Sequence, residues 1–338
     1  MEASKRQETA RAPALPWTVR FQIFGLVAAA SVAQRLNGTV NRSFFSLVDR
    51  HVRASARPDK FGVRSDDVDV DASRGLWARV FKPSEAQSPL PVVVYFHGGG
   101  FALLSAASVP YDNMCRRFCR ELGAVVLSVN YRLAPEHRYP AAYDDGVDVL
   151  GYLEKNRLQD PAVQVDLSAC FVAGDSAGGN IAHHVAQRWT AAKSKSIRLA
   201  GTILVQPFFG GEERTESERR LEGVAPIVNM RRSDWSWRAF LPEGADRNHR
   251  AAHLTSENAD LAEGFPPAMV VIGGFDPEKD WQRRYADLLQ QKGKAVQVVE
   301  FPEAIHGFFL FPKLPDAGNL VKEIKAFMDK SKASASSA

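Results

Sequence analysis

Cysteine is scarce: Cys115, Cys119 and Cys170 are the only three in 338 residues. An odd count, with the first two spaced for one helix face, supports no disulfide framework and points to a reducing compartment, the cytosol. No apolar run reaches the ~20 residues that a bilayer span needs, so stable membrane insertion is not expected. The nearest approach, residues 21–34, has the apolar core and small-residue end of a signal peptide. Its leader is long, however, and carries Glu2 and Glu8 among its cations. Two glycosylation patterns, Asn37-Gly38-Thr39 and Asn41-Arg42-Ser43, matter only in a secreted chain.

Charge of either sign is nearly balanced, 43 Lys and Arg against 39 Asp and Glu, for a net +4. The excess lies in residues 1–60, with ten cations against four anions. Those cations are scattered among apolar residues rather than clustered, which argues against a nucleic-acid surface. The G-x-G-x-x-G spacing after a first strand is missing, so no dinucleotide cofactor is expected. No metal is implied either. His183 and His184 are adjacent on a helix, where neighbouring side chains diverge and cannot chelate one ion.

What is present is a serine on display. Gly174-Asp175-Ser176-Ala177-Gly178 follows the apolar run Cys170–Ala173 and precedes a helix-like stretch from Asn180. A strand, a sharp turn and a helix need small residues around a strained serine, and that geometry suits a nucleophile. Asp175 beside it reads as a residue that holds the turn. Three further features stand where acyl-transfer chemistry needs them. His97-Gly98-Gly99-Gly100 follows the unbroken apolar strand Pro91–Phe96 and leaves backbone N–H groups bare. The amides of Gly98, Gly99 and Ala177 are the expected oxyanion donors, each worth about 10²–10³ in rate. Asp276 closes the strand-like run Ala268–Gly274, and His306 follows the strand Val296–Phe301. The chain order Ser176, Asp276, His306 is that of an α/β-hydrolase triad.

Strands alternate with helical stretches: an opening pair at 61–70 and 76–81, then 92–96, 124–131, 170–173, 202–206, 269–272 and 296–301. This rhythm predicts an α/β fold, a mostly parallel central sheet flanked by helices. Residues 1–330 form one domain. Residues 208–265, charged and tryptophan-bearing, interrupt the rhythm as a helical cap, and 331–338 read as a disordered tail. Arg132 and Glu136 are candidates for a structural ion pair with each other, and Asn180 for a hydrogen-bonding residue near a helix end.

His97-Gly98-Gly99-Gly100-Phe101, Tyr131–Glu136, Gly174–Asn180, Asp276-Pro277 and His306-Gly307-Phe308 together resemble the hormone-sensitive-lipase branch of the α/β-hydrolases. Leu15-Pro16-Trp17, Asp144-Asp145-Gly146 and Gln206–Gly211 are similar to plant carboxylesterases and their relatives, the gibberellin receptors. The resemblance implies a serine esterase acting on small-molecule esters with short acyl chains, without a cofactor. It also implies that residues 15–50 form an amphipathic lid over the site. Two alternatives share the fold. One is a non-catalytic hormone receptor, a group whose resemblance includes loss of the histidine that here is His306; the other is a dehydratase or lyase on a specialised metabolite. The sequence leaves the oligomeric state and the physiological ester open.

Overall fold

The structure is a computed structural model that describes residues 11–158, 160–192 and 197–336. Two helices open the chain, α1 (Trp17–Ala33) and α2 (Arg42–Val48), followed by strands β1 (Val63–Asp71), β2 (Leu76–Pro83) and β3 (Leu90–Phe96). From there strand and helix alternate through α3 (Val109–Leu122), β4 (Val125–Asn130), α4 (Ala141–Asn156), β5 (Val165–Asp175), α5 (Ala177–Ala191) and β6 (Leu199–Val205). The chain ends with α6 (Glu216–Leu221), α7 (Met230–Phe240), β7 (Ala268–Phe275), α8 (Lys279–Gln291), β8 (Val296–Ile305) and α9 (Pro315–Ser336).

The eight strands form one sheet in the order β1-β2-β4-β3-β5-β6-β7-β8. β2 runs antiparallel to β1 and β4, and every other pairing is parallel. The apolar character of β3, β4 and β6 follows from burial on both faces. One face packs on α4, α5 and α8 through Leu150, Ile181 and Leu289. The other packs on α3 and α9 through Phe118, Ile324 and Phe327. All eight expected strands are present, and β5 begins earlier than its apolar run, at Val165, by pairing with Leu90.

The helices of the 208–265 segment are α6 and α7, between β6 and β7. The first carries a capping box of Thr215 and Glu218, and Asn229 caps the second by accepting from the Arg232 N–H at 2.9 Å.

Three expectations change. Helix α1 buries Val19, Ile23, Ala29 and Ala33, but it also turns Trp17, Phe21, Phe24 and Val32 outward, Trp17 at 79% exposure. It is therefore not amphipathic: too few polar residues lie between 21 and 33 for any rotation to give a polar face. At the other end, α9 continues to Ser336 instead of fraying near Lys330, since no glycine or proline after Gly318 interrupts it. Residues 337–338 lie outside the described residues.

Third, Arg132 and Glu136 do not pair with each other. Arg132 bonds Asp145, whose fully buried carboxylate also accepts the Arg132 N–H at 2.8 Å, while Glu136 pairs with Arg42 at 2.6 Å. The turn between β4 and α4 is thus fastened to α4 itself, and also to the N-terminal segment. Removing one partner of a buried pair leaves the other uncompensated. Asp145→Ala is expected to lower stability by about 3 kcal/mol, measured as a reduced denaturant midpoint with an unchanged slope.

Candidate active site

The parallel strands deliver their connections to one edge of the sheet, and the site is assembled from four of them. Ser176 stands between β5 and α5 with φ 52° and ψ −123°, a conformation that costs a non-glycine residue about 1–3 kcal/mol. Backbone bonds hold it there: its N–H donates to Val205 O at 3.0 Å, and its carbonyl accepts from Phe208 N at 2.9 Å. The flanking glycines are obligatory, because a Cβ at Gly174 would lie 2.2 Å from Gly178 O and one at Gly178 would lie 1.9 Å from Phe96 O. The serine is half-buried and lines a cavity of about 150 Å³ shared with Gly99, Gly100 and His306.

His306 is buried at the end of β8, its Nδ1 2.8 Å from Asp276 Oδ2 at the end of β7. An ionised Asp276 fixes the proton on Nδ1 and leaves Nε2 as the accepting nitrogen. The carboxylate is itself held, with Oδ1 accepting the Glu278 N–H at 3.0 Å and Oδ2 accepting Gln282 Nε2 at 2.8 Å. Burial alone would depress the imidazole, but the negative field and hydrogen bond of Asp276, aided by Asp175, prevail and raise it to about 9. Among the described residues no hydrogen bond joins Ser176 to His306. Both face the same cavity, and such contacts commonly close only when substrate is bound.

The glycine loop corrects one expected donor. The Gly98 N–H is taken up by Tyr111 Oη at 2.8 Å and Asp175 Oδ1 at 3.0 Å. Its amide is already used, so it is not an oxyanion donor here. Gly99 and Gly100 line the cavity instead, and their amides have no partner among the described residues. Ala177 opens α5, where an N–H has no acceptor within the helix.

Asp175 is the reason for the arrangement. Its buried carboxyl accepts Tyr95 Oη–H at 2.6 Å and Tyr111 Oη–H at 2.9 Å besides the Gly98 N–H, tying the glycine loop to the serine turn. Burial raises it to about 6 against the lowering pull of the two tyrosines. Asn180 bridges further out, donating to Phe208 O at 3.1 Å and Ala251 O at 2.8 Å. His183 bonds Tyr285 Oη at 2.8 Å, and His184 lies in hydrogen-bonding contact with Ala251 O.

Sequence reasoning gave no role to Gln206, Gln282 or Glu278. Gln206, at positive φ just past β6, clasps His306 from both sides: its Nε2 donates to Ile305 O at 3.1 Å and its Oε1 accepts Gly307 N–H at 2.8 Å. The available signal was a lone amide directly after an apolar strand. Glu278 and Gln282 are one helical turn apart at the start of α8, a spacing visible only once Asp276 is placed beside them.

A family model described as the alpha/beta hydrolase fold matches residues 93–310. The chain belongs to the α/β-hydrolases. Within this family it is 43% identical over 321 residues to a gibberellin receptor of Arabidopsis thaliana, covering 89% of this chain and 90% of the receptor. It is 40% identical over 253 residues to a carboxylesterase of the same plant, covering 70% of this chain and 76% of that enzyme. Among solved structures, a hyperthermophilic esterase from Pyrobaculum calidifontis shares 30% identity at a TM-score of 0.74, over 95% of this chain and 99% of the esterase. Plant carboxylesterases and hormone receptors thus stand at similar distances from this α/β-hydrolase, and its fold is that of the esterases. No helix among the described residues is long and apolar enough to cross a membrane.

Replacing the clasp by an isosteric apolar group leaves a buried carbonyl and a buried N–H unsatisfied, each costing about 1–3 kcal/mol. Gln206→Leu is expected to lower the melting temperature and to speed hydrogen exchange at the Gly307 amide. Unchanged Gly307 protection would show that another group positions the His306 loop.

Proposed function

We propose that this chain is a serine carboxylesterase, a reading carried by the Asp276–His306 hydrogen bond opening on the same cavity as the strained Ser176. In this mechanism Ser176 Oγ attacks the ester carbonyl and its proton passes to His306 Nε2, while Asp276 stabilises the resulting imidazolium. The carbonyl oxygen becomes an oxyanion, received by the amides of Gly99, Gly100 and Ala177. Collapse breaks the bond to the alcohol, which leaves with the proton from His306. Water, deprotonated by the same imidazole, then attacks the acyl-enzyme and frees the acid and the serine. All bonds formed and broken lie within protein, ester and water, so no cofactor is needed.

The cavity favours small esters. Its volume of about 150 Å³ is that of a space able to take a benzene ring. Leu26, Val27 and Ala30 of α1 and Phe45 of α2 form one wall, and Phe208, Ile227 and Ser236 of the 208–265 segment form another. Residues 15–50 act as the lid and 208–265 as the cap, closing a pocket for a short acyl chain.

The similarity to gibberellin receptors supports a second reading, a non-catalytic small-molecule receptor on the same fold. Catalysis requires His306 and Ser176 to act together, which separates the readings. Ser176→Ala and His306→Ala are each expected to reduce turnover of an aryl acetate at least 10³-fold. An organophosphorus ester should label Ser176 stoichiometrically. Retention of more than a few per cent of activity by either variant, or failure of the labelling, favours the receptor. The sign of the pH dependence also follows. A base raised from 6.5 to about 9 carries its proton at neutral pH, so kcat/KM should climb with pH and level off above about 9.

If the N-terminal helices set the acyl limit, truncating their cavity side chains should relax it. Leu26→Ala and Phe45→Ala are expected to shift the preferred aryl ester toward longer acyl chains. An unchanged chain-length profile in both would remove the lid from the specificity argument.

A further inference from the structure

Glu278 is buried at the start of α8, at 3% exposure, and lines the cavity beside Ser176 and His306. Its Oε1 accepts Ser233 Oγ–H at 2.8 Å, while Oε2 has no hydrogen-bond partner among the described residues. A Glu278 carboxyl oxygen, an Asp276 oxygen and a His306 nitrogen all lie within 4.8 Å of one another. No cation bonds it. Arg232, which also lines the cavity, spends its guanidinium on Ile227 O and Ser31 Oγ.

Two carboxylates this close and this buried are not both sustained as anions. Asp276 has three hydrogen-bond partners, with His306 among them as its counter-ion. Glu278 accepts one hydroxyl and faces Asp276 on the β7–α8 turn, Glu218 on α6, His306 after β8 and Ser233 on α7. Burial raises its carboxyl and Asp276 adds to the rise, against the lowering pull of His306, so the protonated form is the favoured one in this setting. With Oε1 accepting from Ser233, that proton belongs on Oε2, making a buried O–H donor with no acceptor among the described residues.

We propose that Glu278 is a specificity-determining residue whose Oε2–H donates to an oxygen on the alcohol portion of the substrate, so that the preferred esters are those of oxygenated alcohols such as diols and their ethers. The inference rests on the esterase reading of the same site. The alcohol side is indicated because His306 hands its proton to the departing alkoxide, and Glu278 adjoins His306. The carbonyl oxygen is turned the other way, to the glycine loop and Ala177. A site built around a buried donor discriminates against a ligand that lacks the acceptor, because the donor is then left unpaired.

The test uses the full chain and two acetates equal in heavy atoms, 2-methoxyethyl acetate and butyl acetate, each kcat/KM normalised to hydroxide hydrolysis of the same ester. The ether ester is expected to be favoured about tenfold at pH 7. The ratio should fall to near one in Glu278→Leu and be largely kept in Glu278→Gln, whose amide still donates. A wild-type ratio near one, or an unchanged ratio in a folded Glu278→Leu, overturns the proposal while hydrolysis of butyl acetate leaves the esterase reading standing. Preference for 2-(dimethylamino)ethyl acetate that is lost in Glu278→Gln would make Glu278 a carboxylate for a cationic alcohol and overturns the neutral-donor role. Hydrolysis of neither ester, with Ser176 unlabelled by an organophosphorus ester, brings down the esterase reading and the inference with it.

Discussion

A buried carboxylate at the end of one strand holds an imidazole at the end of the next, and the whole edge of the sheet is organised around keeping that bond. Asp276 would be a costly group to bury if it were not met by the Glu278 amide, Gln282 and His306 together. The opposite side of the cavity repeats the solution. Asp175 is sunk below Ser176 and satisfied by two tyrosine hydroxyls and one backbone amide. Each carboxyl binds a loop that would otherwise be free to move: the His306 loop in one case, the glycine loop in the other. Preorganisation here is therefore a consequence of satisfying buried charge, and the strain at Ser176 persists because its own N–H and carbonyl are locked by β6 and its following turn.

The parts of this arrangement legible in the sequence are those written in the local backbone. An unbroken apolar run reads as a strand buried on both faces, and the glycines of 174 and 178 read as a turn too tight for side chains, which the close approach to Phe96 O explains. Partnerships across the sheet edge were not legible. Gly98 looked like a bare amide because nothing local announces that Asp175, 77 positions away, arrives to accept it. Arg132 and Glu136 looked like partners because they are near in sequence, whereas α4 and α2 supply their actual counter-ions. Gln206 and Glu278 carry no motif; their meaning comes entirely from what faces them.

The N-terminal segment shows the same limit in another form. Apolar composition at 21–34 fits a leader, a lid or a buried helix equally well, and only packing separates them. Helix α1 places Val27 and Ala30 at the cavity and anchors Val19 and Ile23 in the core beside α3 and β3 residues, while leaving Trp17, Phe21 and Phe24 in solvent. Arg42 then clamps α2 to the chain by bonding Ala134 O at 2.7 Å and Glu136 at 2.6 Å. The wall over Ser176 is thus part of the domain's own hydrogen bonding rather than an appended strip.

That construction bears on how one fold serves both hydrolysis and ligand capture. The residues that close the cavity, α1, α2 and α7, are separate from those that tune the imidazole, which sit after β7 and β8. Changing the first set alters what fits; changing the second acts on the imidazole and, through Glu278, which also lines the cavity, on what fits as well. Because Asp276, Gln282 and Glu278 are carried by one turn and one helix, and His306 by a single loop clasped by Gln206, the catalytic side of the site could be lost through one or two substitutions without disturbing the walls. In this chain the acid, the imidazole and the clasp are all in place. A buried imidazole raised to about 9 is kept that way chiefly by the field and hydrogen bond of Asp276, an arrangement that costs folding free energy and does nothing for passive binding of an apolar ligand. Its presence beside a strained serine is the observation that supports the proposed esterase reading over capture alone.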